Sequence, residues 1–256
     1  MQGAIVRDDH RYLYVENFLR SRGCVFHEAD ARPEGLDFVI FPFAADVDKS
    51  VFDDHYFAGL REGVRIFSGI RNAYLTERCA ARGLNYHAIM EDRGIAVKNA
   101  VPTSEGVIAY LVTSRTDTLA GSRMLVIGYG VCGSDLSKRL TSLGVDVYAL
   151  VRTPEKEAQA LADGVTPIYL DKIFEIDFDT IINTVPGTVL TDEMLERKRG
   201  SLFVDIASKP YGFNMETAKR LNEKSALLPG IPGKYAVRTS GEILGEYIFN
   251  ILRGNA

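Results

Sequence analysis

Met124-Leu-Val-Ile-Gly128-Tyr-Gly130-Val-Cys-Gly133 decides the reading of this chain. Four apolar residues run straight into G-x-G-x-x-G, and Leu136, Leu140 and Leu143 follow at i, i+4 and i+7. A buried strand therefore passes through a glycine turn into an amphipathic helix, the setting in which this pattern signals a dinucleotide. The first glycine permits the tight turn and the second lets backbone approach a pyrophosphate. The third lets helix and strand pack closely. The helix start then offers unpaired N–H groups and a positive dipole end. Gly128, Tyr129, Gly130, Val131, Cys132 and Gly133 are accordingly read as cofactor-binding. Nothing in the sequence supplies Cys132 with a base, so it is read as a small filler.

Working outward, Val145–Val151 reads as the next strand, Pro154–Ala162 as a helix and Thr166–Leu170 as a short strand. Phe178–Val185 and Ser201–Ser208 read as long buried strands, and Ala226–Leu228 as a shorter one. Six strands with crossovers make a doubly wound parallel sheet of the Rossmann type. Ligands bind outside strand carboxyl ends in such sheets, which adds Thr184, Val185 and Pro186 to the cofactor set. The same rule separates two candidates at the second strand. Asp146 begins the strand and lies far from the binding edge, whereas Arg152-Thr153 ends it. A guanidinium there suits the 2′-phosphate of NADP, so NADP is preferred over NAD.

Upstream, short apolar runs at 3–6, 24–26, 37–41 and 64–69 alternate with helix-like stretches at 12–22 and 72–82, which predicts a smaller α/β sheet. Pro102-Thr103-Ser104-Glu105 has the look of a helix start, and 103–119 is read as a connecting helix. Residues 239–253 carry Leu244, Ile248 and Ile251 at helical spacing. The expected organisation is thus two α/β domains joined by helices across a cleft. Residues 1–102 form the substrate side with 239–256 packing back, and 103–238 hold the linker helix and the dinucleotide domain.

Composition limits the alternatives. The chain has 256 residues, 46% hydrophobic and 25% charged, with net charge -4. These values exclude disordered and disulfide-scaffold classes and predict no attraction to nucleic acid or anionic membrane. No run approaches a membrane span, and the first ten residues lack an apolar signal core. Cys24, Cys79 and Cys132 have no metal-like spacing, so no metal site and a reducing cytoplasm are expected.

Several segments together resemble a known family. Asn99-Ala-Val-Pro-Thr-Ser-Glu-Gly106, the glycine loop, Ile-Asn-Thr-Val-Pro186, Asp205-Ile-Ala-Ser-Lys-Pro210 and Leu228-Pro-Gly-Ile-Pro-Gly233 occur in this order. With Asp9-His-Arg11 and Phe67-Ser-Gly-Ile70 they resemble the A subunits of dipicolinate synthase. The resemblance implies NADP-dependent oxidation of dihydrodipicolinate, or of its hydroxytetrahydro precursor, to dipicolinate. It further implies a partner, the flavoprotein-like B subunit, and the mother-cell cytoplasm of a sporulating bacterium. A homo-oligomer is also expected. Arg7-Asp8 replaces an expected glycine, and Lys234-Tyr235 replaces expected aliphatic residues.

A small dicarboxylate calls for cations, and Arg11, Arg93, Lys98, Lys209, Lys234 and Arg238 are candidates. Lys209 and Arg238 are favoured, and Glu105 is the candidate proton acceptor, giving the catalytic set. Thr103, Ser104 and Lys234 are the candidate substrate contacts. His10, His27, His55 and His87 show no recognisable catalytic arrangement. Two other readings stay open: a related dehydrogenase of another small acid, and a nucleotide-binding subunit without catalysis of its own.

Overall fold

The computed structural model describes residues 1–30, 33–44 and 46–254. They form two compact units, 1–99 with 236–256 and 100–235.

The first unit begins β1 (Gln2–Ile5), α1 (Arg11–Ser21), β2 (Val25–His27), β3 (Phe38–Ile40) and α2 (Asp54–Gly59). It continues with β4 (Arg65–Ser68), α3 (Ala73–Arg82), β5 (Asn85–Ala88) and the start of α4 (Arg93–Ser114). Its sheet is wholly parallel in the order β2-β1-β3-β4-β5. Side chains alternate between the two faces of a strand, and neighbours in one strand accordingly enter different cores. Ala4, Val39 and Ile66 pack with Leu75 and Cys79 of α3. Ile5, Phe38, Ile40 and Phe67 pack instead with Tyr12, Val15 and Leu19 of α1. The last helix completes that second layer through Leu244, Ile248 and Leu252.

The second unit carries β6 (Arg123–Ile127), α5 (Val131–Ser142), β7 (Asp146–Leu150), α6 (Pro154–Ala162) and β8 (Thr166–Ile168). It ends with β9 (Thr180–Asn183), α7 (Asp192–Arg197), β10 (Leu202–Asp205), α8 (Met215–Leu221), β11 (Ala226–Leu227) and α9 (Pro232–Tyr235). The order β11-β10-β9-β6-β7-β8 is again all parallel, the doubly wound arrangement. Met124 and Val126 face Val107, Leu111, Leu136 and Leu140. Leu125 and Ile127 face Leu195 and Ala218 on the opposite side. The chain then returns to the first unit as α10 (Val237–Leu252). A Cβ on Gly241 would lie 2.5 Å from the Arg11 carbonyl, so glycine sets how closely α10 approaches α1.

Two expectations are corrected. The connecting helix does not begin at 103 or reach 119, because α4 spans Arg93–Ser114 with Pro102 inside it. Its start is capped by Asp92, whose carboxylate accepts the Ile95 N–H at 3.0 Å. Pro102 removes one hydrogen bond and resembles a start signal, yet the buried Ile95 and Ala100 already hold the preceding turns in place. Thr103 and Glu105 are therefore helix-interior residues and not caps. The strands read as 178–185 and 201–208 are four residues each, Thr180–Asn183 and Leu202–Asp205. Their apolar continuations are loop residues: the half-buried Val185 packs on Gly128, and Ala207 is 5% exposed.

Candidate functional site

The glycine loop sits at the carboxyl edge of β6, where the sheet order reverses between β6 and β9. This is the switch point at which open α/β sheets take ligands. Gly128 has φ +93°, and a Cβ there would lie 2.3 Å from Val185 Cγ2. Glycine is required on both counts. A Cβ on Gly133 would meet the Gly128 carbonyl oxygen at 2.1 Å, so the turn closes only without a side chain. Gly130 is different, since no atom lies within 4 Å of its virtual Cβ. A side chain there would enter open space directly over the N-terminus of α5. Gly130 is also the N-cap of that helix and has no side chain to bond the first-turn N–H groups. The α5 terminus thus leaves the donors and the room that a phosphate group needs.

A cavity of ≈ 560 Å³ opens at this edge. Its wall brings together the whole loop 128–133 with Arg152, Thr153, Thr184, Val185 and Pro186. Leu150, Val151, Glu155 and Lys156 complete it. Sequence reasoning misses the first turn of α6 as wall, although Pro154-Glu-Lys directly follows the strand end and is where the next helix must pass. Arg152 is exposed, and Lys156 gives a second cation beside it. Thr153 caps α6, accepting the Lys156 N–H at 3.3 Å. Asp146 lies at the other end of β7, paired with Arg123 at 3.4 Å.

Individual roles sharpen. Tyr129 contributes backbone and not a free ring: it is 3% exposed and its hydroxyl donates to Asp163 Oδ2 at 2.9 Å. Burial and the Asp163 carboxylate both push its phenol well above the ordinary range. Burial likewise pushes the Cys132 thiol up, away from the reactive thiolate. The Thr184 hydroxyl donates to the Ile127 carbonyl at 2.8 Å, which pins the β9 loop to the end of β6.

A buried polar knot shapes that loop and the next one. Asp205 is fully buried at the end of β10. Its Oδ1 accepts from Asn183 Nδ2 and from the Ala207 N–H, both at 2.9 Å, and its Oδ2 accepts from the Gly212 N–H at 2.7 Å. Asn183 Nδ2 donates to the Val185 carbonyl at 2.9 Å. The Gly187 N–H then donates to the Pro210 carbonyl at 2.6 Å. Two loops from neighbouring strands are therefore fixed as one piece, with Lys209 exposed in the second.

The other candidates are not in this wall. Thr103 is half-buried, and Ser104 is fully buried, so its side chain does not reach solvent. Glu105 is exposed within electrostatic reach of Arg139, and Lys234 is exposed on α9. Arg238 belongs to the first unit, 76% exposed and paired with Glu242 at 2.9 Å. Arg11 is unavailable to a ligand, being buried on Asp9 with its guanidinium 3.7 Å from the centre of the Phe43 ring.

Residues 103–206 match the D-isomer specific 2-hydroxyacid dehydrogenase, NAD binding domain family. The chain is 33% identical over 190 residues to the dipicolinate synthase A subunit of Bacillus subtilis, covering 73% of this chain and 64% of that protein. The crystal structure of the Bacillus subtilis protein superposes with a TM-score of 0.90 at 26% identity, covering 100% of this chain and 96% of that one. The apo-structure of D-lactate dehydrogenase from Escherichia coli shares the fold at a TM-score of 0.72 and 17% identity, covering 100% of this chain and 98% of that one. By sequence and by fold together, the chain is similar to dipicolinate synthase A subunits, and its second unit carries a nicotinamide dinucleotide-binding domain of the 2-hydroxyacid dehydrogenase type.

Proposed function

We propose that the chain is an NADP-dependent oxidoreductase that converts dihydrodipicolinate, or its hydroxytetrahydro precursor, to dipicolinate. The observation that carries this reading is the cavity at the β6–β9 switch point, with Gly130 open over the α5 terminus and Arg152 on its rim. The residues fit a dinucleotide. Loop 128–133 would hold the pyrophosphate, and Arg152 with Lys156 would face a 2′-phosphate. Thr184, Val185 and Pro186 would shape the remaining wall. Arg favours the phosphate over a bare ribose hydroxyl because it supplies charge and a planar donor fork.

When bound, the nicotinamide supplies the acceptor for a hydride from a ring carbon. The protein's share is to position the substrate, exclude competing water and receive a proton from the adjacent carbon. Glu105 is the proposed proton acceptor, and Lys209 and Arg238 are the proposed cations for the two carboxylates. Thr103 and Lys234 are the proposed substrate contacts, and Ser104, the third residue of that set, acts through the position of α4 because its hydroxyl is buried. Residues 1–102 are proposed as the substrate side of the protein.

The relative's printed name is that of a subunit, which supports a B-subunit partner, flavoprotein-like in this reading, and a homo-oligomeric assembly. No helix among the described residues is long and apolar enough to cross a membrane, which accords with the proposed location in the mother-cell cytoplasm during sporulation. Purified protein supplied with NADP and enzymatically generated dihydrodipicolinate is expected to form dipicolinate, followed by its absorbance. Tight NADP binding without turnover, in the presence and absence of the B partner, would refute the assignment.

A further inference from the structure

Loop 128–133 is anchored unequally on its two sides. Toward β9 it is held by Thr184, whose hydroxyl donates to the Ile127 carbonyl at 2.8 Å, and by the packing of Val185 on Gly128. Toward α6 it is held by one directional contact. Tyr129 is the one side chain of the loop that hydrogen-bonds, among the described residues. Its hydroxyl donates across 34 positions of sequence to Asp163 Oδ2 at 2.9 Å.

Asp163 is a fixed point for that bond. It is the C-cap of α6, and its own N–H is shared between the Gln159 and Ala160 carbonyls, both at 3.1 Å. Gly164 follows with φ +73°, and the Val165 N–H closes the end onto the Ala160 carbonyl at 2.9 Å. A helix end closed in this way leaves the capping residue little backbone freedom. Lys138 of α5 stands 3.9 Å from the same Oδ2, so the charge of the acid is balanced locally.

The apolar core does not call for the hydroxyl. Tyr129 belongs to the cluster of Leu136, Val151, Ala160 and Val165, where a phenylalanine ring would fill the same space. Such packing sets how far a helix stands off its sheet, but it is non-directional and resists sliding along the helix axis only weakly. A hydrogen bond is directional and stops the slide. The slide matters because of what stands at the other end of α6. The nine residues of α6 make a rigid rod of about 13 Å, with Asp163 closing one end. Arg152, Thr153 and Lys156 stand at the other end, on the cavity wall.

We infer that Tyr129 and Asp163 are a positioning pair that sets the spacing between the N–H donors of loop 128–133 and the cations Arg152 and Lys156. A ligand held at both places gains from a fixed spacing, because its second contact then forms at high effective concentration. A ligand held only beside Arg152 gains nothing from it. The role deepens the proposed function and rests on it for the identity of the ligand.

The test compares, in the full chain, NADP with adenosine 2′-monophosphate, which carries the 2′-phosphate but no pyrophosphate. Calorimetry reads the first affinity and ligand-observed NMR the second. Tyr129→Phe is expected to weaken NADP at least fivefold and to leave the fragment within twofold of wild type. Asp163→Asn keeps an acceptor oxygen for the phenol and is expected to bind both as wild type does. Asp163→Ala is expected to repeat the loss. The double variant of Tyr129→Phe and Asp163→Ala is expected to lose no more than the larger single loss, the mark of one shared interaction. Unchanged NADP affinity in Tyr129→Phe, an equal loss of both ligands, or no rescue by asparagine would overturn the inference. A wild type that prefers NAD would count against the proposed role of Arg152 alone. NAD against adenosine would then decide the pair by the same two criteria.

Discussion

Replacing Asp205 with alanine tests how the site is built. The carboxylate accepts three hydrogen bonds in a fully buried position, from Asn183 Nδ2, Ala207 N and Gly212 N. In Asp205→Ala the Asn183 amide keeps its bond to the Val185 carbonyl, but the two backbone N–H groups lose their acceptor. A buried donor left without a partner costs about 1–3 kcal/mol, so two cost roughly 2–6 kcal/mol. A loss of about 4 kcal/mol is expected, a large part of a typical stability of about 5–15 kcal/mol. With a urea slope of about 2 kcal/mol/M, the unfolding midpoint followed by far-UV circular dichroism falls by roughly 2 M. Asp205→Asn retains one acceptor oxygen and is expected to lose about half as much. Dinucleotide affinity should fall in the same order, because the loop carrying Thr184, Val185 and Pro186 is anchored to the same knot. A midpoint for Asp205→Ala equivalent to within about 1 kcal/mol of wild type would show that water replaces the lost acceptor, and the reasoning would be wrong.

Three further outcomes are expected. Gly133→Ala drives a Cβ against the Gly128 carbonyl, 2.1 Å away, so the loop must shift; nucleotide affinity drops at least tenfold, with about 1–3 kcal/mol lost in thermal or chemical denaturation. Arg152→Ala weakens NADP by roughly ten- to a hundredfold, the worth of about 1.5–3 kcal/mol of charged hydrogen bonding, and leaves NAD unchanged, as equilibrium titration with each nucleotide would show. The third concerns Glu16: burial opposes its charge, but Arg7 and Arg20 prevail and set its pKa below the ordinary 4.5. Its contribution is thus complete above pH 4.5 and vanishes as pH falls through the lowered value. Glu16→Gln is expected to cost about 1–2 kcal/mol at pH 7 and progressively less as the pH is lowered below 4.5, so denaturation across a series of pH values checks the sign.

The doubly wound sheet was legible because its signals are local. Met124–Ile127 alternates two faces, and Gly128 and Gly133 fall where the turn that follows admits no side chain. The same logic placed Arg152 at the binding edge and Asp146 away from it. Short elements were harder. Helices α2 and α7 are six residues each, too short for a periodic pattern, and only their caps Asp53 and Thr191 mark them. Strand β5, Asn-Tyr-His-Ala, is polar and edge-placed, and carries no apolar run to read. Pro102 misled because the local preference for a helix start yields to the packing of Ile95 and Ala100. The Asn183–Asp205 knot was not visible at all. Its partners lie twenty-two positions apart and meet only because β9 and β10 are neighbours in register.

The return of α10 to the first unit has a bearing on how the chain is made. On the ribosome, residues 100–235 emerge complete while α1 still lacks the helix whose Gly241 and Leu244 it packs against. At about 5–20 residues per second, Tyr12, Val15 and Leu19 wait roughly 11–45 s for that cover. The dinucleotide unit is then the earlier to mature, and a nascent chain stalled before Val237 would show the apolar face of α1 to chaperones. Synthesis order thus makes the last helix, and not the glycine loop, the step that commits the first unit to its fold.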